Sequence, residues 1–349
     1  MILLLNPSIY KIEITGSDDK SNSYEIEEIK KLSLYKDKTE AISIRILWGG
    51  EFLRNKGLID NNFIEKYKGL ITFFPVYVPR IEKILKYLLE NFQDIPIIPF
   101  FEDKFFLNLP VEEKYYGINS FRIGGMKIRK RGFHGIFHEF VSEKFSSYKK
   151  IISIVLDKKT TICGIKNRKP QLISIGFTPL EGIMGKTSSG DLDPGIVFYM
   201  MKELGYSIFE VDNILKKKSG FYGLTGYNRD INEIYKNFYK KDEKVNFTFK
   251  IYTKQIIKYI GEAISVLDGV DAIVFSGEYV KEMISFIYEI ISEISFIGIK
   301  LGKISKFSDN IGIISIEKIP VLLNFYTDKE IIFYQTEKVL KNKALKNFV

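Results

Sequence analysis

The chain has 349 residues, 45% of them hydrophobic, and 52 Lys and Arg against 43 Asp and Glu give a net charge of +9. That length predicts two domains, each with a full core, in a soluble globular protein. No apolar run is long enough to span a bilayer, Met1 to Leu5 is too short and too uncharged for a signal peptide, and one cysteine, Cys163, excludes an intrachain disulfide. A cytoplasmic protein without a membrane partner is expected. The basic residues form short scattered runs, Lys127 to Arg131, Lys158-Lys159 and Lys216 to Lys218. They lack the interleaved aromatics of a nucleic-acid face and read as solvated surface with some attraction for anions, so no nucleic acid is expected as partner.

Ile2 to Leu5 reads as a buried strand closed by the turn Asn6-Pro7-Ser8, with a return strand through Ile12 and Ile14. Ser17 to Ser23 is polar and turn-like. Ile42 to Leu47 alternates as a strand and ends in Trp48-Gly49-Gly50; Arg45 points to one face of it, and a plain surface arginine is the bland alternative. Ile81 to Leu89 has helical spacing. Ile95 to Phe101 is a strand whose prolines, Pro96 and Pro99, argue against a central position; Glu102 and Asp103 follow at its C-terminal end, where open α/β sheets hold ligands.

Arg129 to His138 reads Arg-Lys-Arg-Gly-Phe-His-Gly-Ile-Phe-His and holds the only histidines, His134 and His138. On a helix they share one face. Zinc is poorly supported, because Gly135 stands where a metalloprotease helix carries glutamate and no further ligands exist. A structural pair and a phosphate-binding or catalytic histidine beside a basic cluster both stay open. Lys150 to Leu156 and Thr161 to Ile165 form a hairpin around Asp157-Lys158-Lys159. Ser174 to Gly195 follows, dense in glycine, with Glu181, Asp191 and Asp193 and with Pro179 and Pro194 towards its ends. A loop of this composition is either functional or a flexible connector.

Pro194 opens a helix running to about Leu204. Ser207 with Glu210 is a capping box for the next helix, which ends at Ser219-Gly220. Phe221 to Asn228 reads as a second glycine loop. Helices follow from about Asp230 and from Val245 to Leu267, then a strand from Asp271 to Phe275 and the turn Ser276-Gly277-Glu278 into another helix. Strands from Gly312 to Ile316 and Pro320 to Tyr326 precede a final helix from about Lys329. Alternating strands and helices make this an α/β protein.

KRGFHGIFHEFVS, ISIGFTPLEGIMGKTSSGDLDPGIVFYMM, IFEVDNILKKKSGFYGLTG and VDAIVF follow one another in the order seen in acetate kinases and related carboxylate kinases, and the chain resembles that family most closely from Arg129 to Phe275. The resemblance implies two duplicated ribonuclease-H-like domains of the actin and sugar kinase type with a cleft between them. Residues 1–104 with 330–349 would form one domain, and 105–329 the nucleotide-side domain. It also implies ATP or ADP, Mg2+, acetate or another short carboxylate as substrate, acetyl phosphate as product, and a homodimer.

Carried over residue by residue, Asn6 and Lys11 match phosphate-loop positions and Arg45 matches the arginine that holds the carboxylate, with Gly49-Gly50 after it. Glu102 stands for a catalytic or metal-binding acid. Phe133 and Pro179 match the acyl pocket, and His134 the histidine on the transferring phosphoryl group. His138 is the motif's second histidine. Asp230 and Gly277 fall at the nucleotide site, and Asp191 and Glu330 are candidate metal ligands. The departures are as specific: Trp48 and Phe106 replace histidines, Asp157-Lys158-Lys159 replaces a glycine phosphate loop, Ser188 an arginine, and Lys329 a metal-holding glutamate. The lysines of that turn would partly restore its attraction for phosphate. The resemblance therefore implies a carboxylate kinase, weakened or retuned. The alternative is a non-catalytic paralogue that binds a ligand or regulates another subunit.

Overall fold

A computed structural model of the chain describes residues 1–8, 11–18, 20–49, 59–72, 74–119, 128–316 and 318–341. It divides into two compact units, Met1–Leu107 with Thr327–Val349, and Asn108–Tyr326.

The first unit is built on β1 (Ile2–Pro7), whose near-continuous apolar run reflects burial on both faces. It pairs antiparallel with β2 (Lys11–Gly16) and parallel with β4 (Ala41–Ile46). β3 (Ser21–Glu25) and β5 (Ile97–Phe101) complete a five-stranded sheet in the order β3-β2-β1-β4-β5. β5 is the edge strand its prolines imply. β3 replaces part of the turn expected from Ser17 to Ser23: its residues are almost all exposed, so no apolar alternation announces it. A 3-10 helix, Ile26–Lys38, buries Ile26, Ile29 and Leu32, a spacing of three that suits its three residues per turn. α1 (Asn61–Lys68) is capped by Asp60, which accepts from the Phe63 N–H at 2.6 Å. α2 (Val78–Asn91) buries Val78, Ile81, Ile84, Leu85 and Leu88 on one face. The C-terminal helix, Asp328–Lys341, buries Ile331, Ile332 and Thr336, and the Thr336 hydroxyl meets Ser43 of β4 at 2.7 Å.

The second unit starts from an antiparallel meander, β6 (Lys150–Val155), β7 (Thr161–Lys166) and β8 (Lys169–Ile173). β6 runs parallel to β9 (Ala272–Ser276), and β9 parallel to β12 (Val321–Asn324); β10 (Leu301–Ser308) and β11 (Ile311–Ser315) extend the sheet. Its run β8-β7-β6-β9-β12 repeats the first unit's β3-β2-β1-β4-β5 in order and direction. This is the duplicated α/β pattern implied by the resemblance.

Among the described residues, eight α-helices belong to the second unit: α3 (Val111–Lys114), α4 (Gly135–Lys144), α5 (Pro194–Lys202), α6 (Ile208–Lys217), α7 (Gly220–Thr225), α8 (Ile231–Phe238), α9 (Glu243–Leu267) and α10 (Ile284–Glu293). α9 buries Val245, Phe249, Tyr252, Ile256, Ile260, Ala263 and Leu267 as one stripe. Each large apolar side chain so buried contributes about 1.5–3 kcal/mol. α7 occupies the expected glycine loop Phe221 to Asn228. Phe221 is fully buried with its ring 5.0 Å from those of Phe249 and Tyr252, and that packing overrides the glycine signal.

Candidate functional site

In the first unit the parallel strands β1, β4 and β5 end together, and Arg45 leaves β4 there. Its Nε donates to Oε1 of Glu102 at 2.5 Å and its Nη1 to Oδ2 of Asp328 at 2.7 Å. Glu102 is fully buried at the end of β5, and its backbone N–H reaches the Ile46 carbonyl at 3.0 Å. Asp103 accepts from the Gly49 N–H at 2.9 Å. Gly50 lies outside the described residues. Trp48 stacks on Phe74 with ring centroids 4.0 Å apart. Asp328 is a partner of Arg45 that no local signal gives, since 283 residues separate the two.

Asn6, the last residue but one of β1, is half-buried opposite Glu13. Lys11 is exposed, 3.6 Å from Glu25, and its backbone closes the β1–β2 turn with Ser8. Ile9 and Tyr10, between them, lie outside the described residues. Lys329 pairs with Glu13 at 2.6 Å. Glu330 turns Oε2 back to the Thr327 N–H at 2.7 Å and so caps its own helix.

In the second unit the two histidines meet, but not as two positions on one helix. His134 precedes α4 with left-handed backbone, φ 59°, a strained conformation for a side chain of this size. Its Nδ1 lies 3.0 Å from the Thr161 hydroxyl. His138, one turn into α4, places Nε2 3.0 Å from the same hydroxyl and Nδ1 2.8 Å from Ser153. Burial pushes the His138 imidazole down to about 3, so it is neutral. The Asp157 carboxylate faces His134 Nε2 at 3.7 Å and favours a proton there. Thr161 then donates to His134 Nδ1 and accepts from His138 Nε2. Phe133 holds its ring 4.2 Å from the His134 ring. Pro179 is exposed.

Ser174 to Gly195 is a bonded structure, not a flexible connector. Ile183 and Met184 are buried, Asp191 Oδ1 accepts from the Gly182 N–H at 2.6 Å, and the Gly182 carbonyl accepts from the Asp191 N–H at 2.8 Å. Gly182 is required there: its φ is +93° and a Cβ would stand 2.1 Å from the Ser174 oxygen. Of the two lysines expected to attract phosphate, Lys158 is exposed but Lys159 turns inward, donating to the Ile183 carbonyl at 2.5 Å. Burial lowers the Lys159 ammonium to about 8, against the opposing pull of Asp191 and Glu181. Lys159 therefore ties the hairpin to the loop.

A polar corner stands at the C-terminal ends of β6 and β9, where parallel sheets receive ligands. Asp230 stands immediately before α8 and pairs with Lys186 at 2.7 Å. Gly277 makes the turn after β9 with φ +103°. Tyr279 is buried and its Oη has no hydrogen-bond partner among the described residues. Burial first, then the carboxylates of Asp230, Asp157 and Glu278, hold its phenol protonated far above the usual tyrosine value. A buried hydroxyl without a partner suits a corner that takes up a polar ligand or water, so these residues fit a nucleotide.

A metal fits less well. Asp191 gives its second oxygen to the Tyr259 hydroxyl at 2.5 Å. Among the described residues no group of three or more His, Cys, Asp or Glu could hold a metal ion.

Comparison with known proteins bears on the family and the fold. The acetokinase family model matches residues 13–334. The acetate kinase of Thermoanaerobacter pseudethanolicus is 31% identical over 97% of this chain and 90% of its own length, and that of Thermotoga maritima 32% identical over 78% and 70%. The crystal structure of Porphyromonas gingivalis acetate kinase superposes with a TM-score of 0.85 at 22% identity, covering 97% of this chain and 99% of that one. A propionate kinase from Francisella tularensis gives 0.81 at 24% identity, covering 95% and 97%.

Proposed function

The chain belongs to the acetokinase family, and we propose that it acts as a carboxylate kinase, transferring the γ-phosphoryl group of ATP to acetate or another short acid to give ADP and an acyl phosphate. A carboxylate oxygen forms the new bond to phosphorus while the bond to the β–γ bridging oxygen breaks. The nucleophile is already an anion and ADP leaves as one, so no base is needed. The reaction calls for positioning and for donors aimed at the phosphoryl oxygens in flight.

The observation that carries this reading is the fixed imidazole of His134, braced by Thr161 and His138 with its Nε2 turned to the Asp157 side. In this proposal Nε2–H donates to the transferring phosphoryl group. Arg45, with Glu102 behind it, attracts the acid. The family resemblance assigns Phe133 and Pro179 to its alkyl part. Asp230 and Gly277 receive the nucleotide, with Asn6 and Lys11 near its phosphates. ATP, ADP and Mg2+ enter from the family. Mg2+ at such sites is commonly held by substrate phosphates with only one or two carboxylates. The roles of Asp191 and Glu330 as ligands find no support in their hydrogen bonds, and no step here depends on the metal.

Asn108–Tyr326 carries the proposed nucleotide residues Asp230 and Gly277, and Met1–Leu107 with Thr327–Val349 carries Arg45. A cytoplasmic homodimer completes the proposal. No helix among the described residues is long and apolar enough to cross a membrane. α5 buries none of its residues, and Phe198, Tyr199, Leu204, Ile208 and Phe209 are exposed along α5 and the start of α6, an apolar surface suited to a second copy.

Thermal unfolding with and without Mg-ATP, Mg-ADP and acetate tests the proposal. A ligand present at about 100 times its Kd adds roughly 2.7 kcal/mol to the folded state. A higher Tm with Mg-nucleotide is expected; no shift with any nucleotide, for folded protein, would reject the kinase reading.

A further inference from the structure

We propose that Lys186 binds the phosphates of the nucleotide, its ammonium held in place by Asp230. The inference rests on the reading of the corner at β6 and β9 as the nucleotide site, and every residue it uses belongs to Asn108–Tyr326.

The backbone of Lys186 is fixed where the two ends of that site come together. Its N–H donates to the Lys158 carbonyl at 2.9 Å, in the turn after β6, and its carbonyl accepts from the Tyr222 N–H of α7 at 2.8 Å. Gly185, just before it, lies against the same turn: an added Cβ would stand 2.9 Å from the Lys158 oxygen. Asp157, next to Lys158, faces His134 Nε2 at 3.7 Å, the atom proposed to donate to the transferring phosphoryl group. The Lys186 side chain leaves this turn and reaches Asp230, where Nζ donates to Oδ1 at 2.7 Å. Lys186 therefore spans the interval between the phosphoryl end and the nucleoside end, where the other phosphates of ATP belong.

Its ammonium suits that role. The Lys186 and Asp230 side chains are 27% and 30% exposed, so their pairing is weak and open to solvent. Among the described residues it is the one hydrogen bond the ammonium makes, and an ammonium has three donors. A phosphate oxygen can therefore be bound without displacing Asp230, and lysine serves as a point charge for phosphate. Ser188, in the same turn, brings no charge. Tyr279 is an independent sign of a polar ligand here: its Oη is buried with no hydrogen-bond partner among the described residues, and the Asp230 carboxylate is among the charges that act on it.

The test is calorimetric titration of the full chain, with Mg2+ present, using ATP, ADP and adenosine, for the parent protein, Lys186→Met and Lys186→Arg. Lys186→Met is expected to lose about ten- to a hundredfold in affinity for ATP and ADP, the scale of one hydrogen bond to a charged group, while adenosine binds as in the parent. Lys186→Arg keeps the charge and should recover most of the loss. Added salt should weaken ATP binding less in Lys186→Met than in the parent. A purely structural lysine would lower all three ligands together, so an equal loss on ATP, ADP and adenosine overturns the inference, as does unchanged ATP affinity in folded Lys186→Met. Either result, with ATP bound by the parent, leaves the nucleotide site standing. A folded parent that binds neither ATP nor ADP ends both readings. Should Lys186→Met not fold, Lys186→Gln keeps a donor for Asp230 without the charge and is judged by the same comparison.

Discussion

His134 and His138 share one hydroxyl: Thr161 Oγ1 lies 3.0 Å from Nδ1 of the first and 3.0 Å from Nε2 of the second. A hydroxyl has a single proton, so the state of one ring constrains the other. Thr161 is thus a positioning residue for His134. Thr161→Val keeps the shape and removes the bridge. Its kcat for acyl phosphate formation should fall roughly ten- to a hundredfold, because a buried partner left unsatisfied costs about 1–3 kcal/mol. KM values should hold, and Thr161→Ser should restore the rate. Nitrogen NMR of the imidazoles, with only two histidines to assign, should show His134 losing its single tautomer in the valine variant. An unchanged spectrum would exclude the positioning role.

His138 also sets an acid limit. Its folded value of about 3 lies below the ordinary 6.5. Between these values the unfolded chain binds a proton that the folded chain refuses. Stability therefore falls as pH drops through this window, by up to about 1.4 kcal/mol per pH unit. His138→Gln should lose stability less steeply there in urea unfolding. Parallel acid limbs for the two proteins would contradict this.

Lys159 acts in the same direction at higher pH. Its ammonium titrates at about 8 when folded against 10.5 ordinarily, so the folded state binds fewer protons between those values and stability rises with pH from about 8 upward. Above the ordinary tyrosine range the buried tyrosines oppose the trend. Lys159→Met should remove the rise, read from urea midpoints. A rise that survives the substitution would place its origin elsewhere.

Gly277 bears a backbone requirement. At φ +103° an added Cβ would stand 2.4 Å from the Leu156 oxygen. Gly277→Ala should destabilise the protein by about 1–3 kcal/mol or more, measured by urea unfolding, and should weaken nucleotide binding with it. A neutral substitution would show that the turn can relax.

Much of the fold was legible where burial imposes a period. β1, β4, α2 and α9 carry patterns that burial on one or two faces dictates. β3 was not legible because its residues face solvent, and β8 and β10 lie among lysines that blur any alternation. α7 was hidden by glycines whose conformations serve tertiary packing. At the site, the spacing of His134 and His138 pointed to one helix face. The bridge through Thr161 depends instead on the first residue of β7 reaching both rings, and no local spacing encodes that. Arg45 was legible through its motif, but its pairing with Asp328 needs the last helix to return to β4.

The most direct test of the central claim is acyl phosphate formation from ATP and acetate by purified protein, trapped as the hydroxamate and compared with His134→Ala of equal thermal stability. Product above background in the parent, and its loss in the alanine variant, is the expected result. No product from the folded parent, or equal turnover in both proteins, would contradict the account.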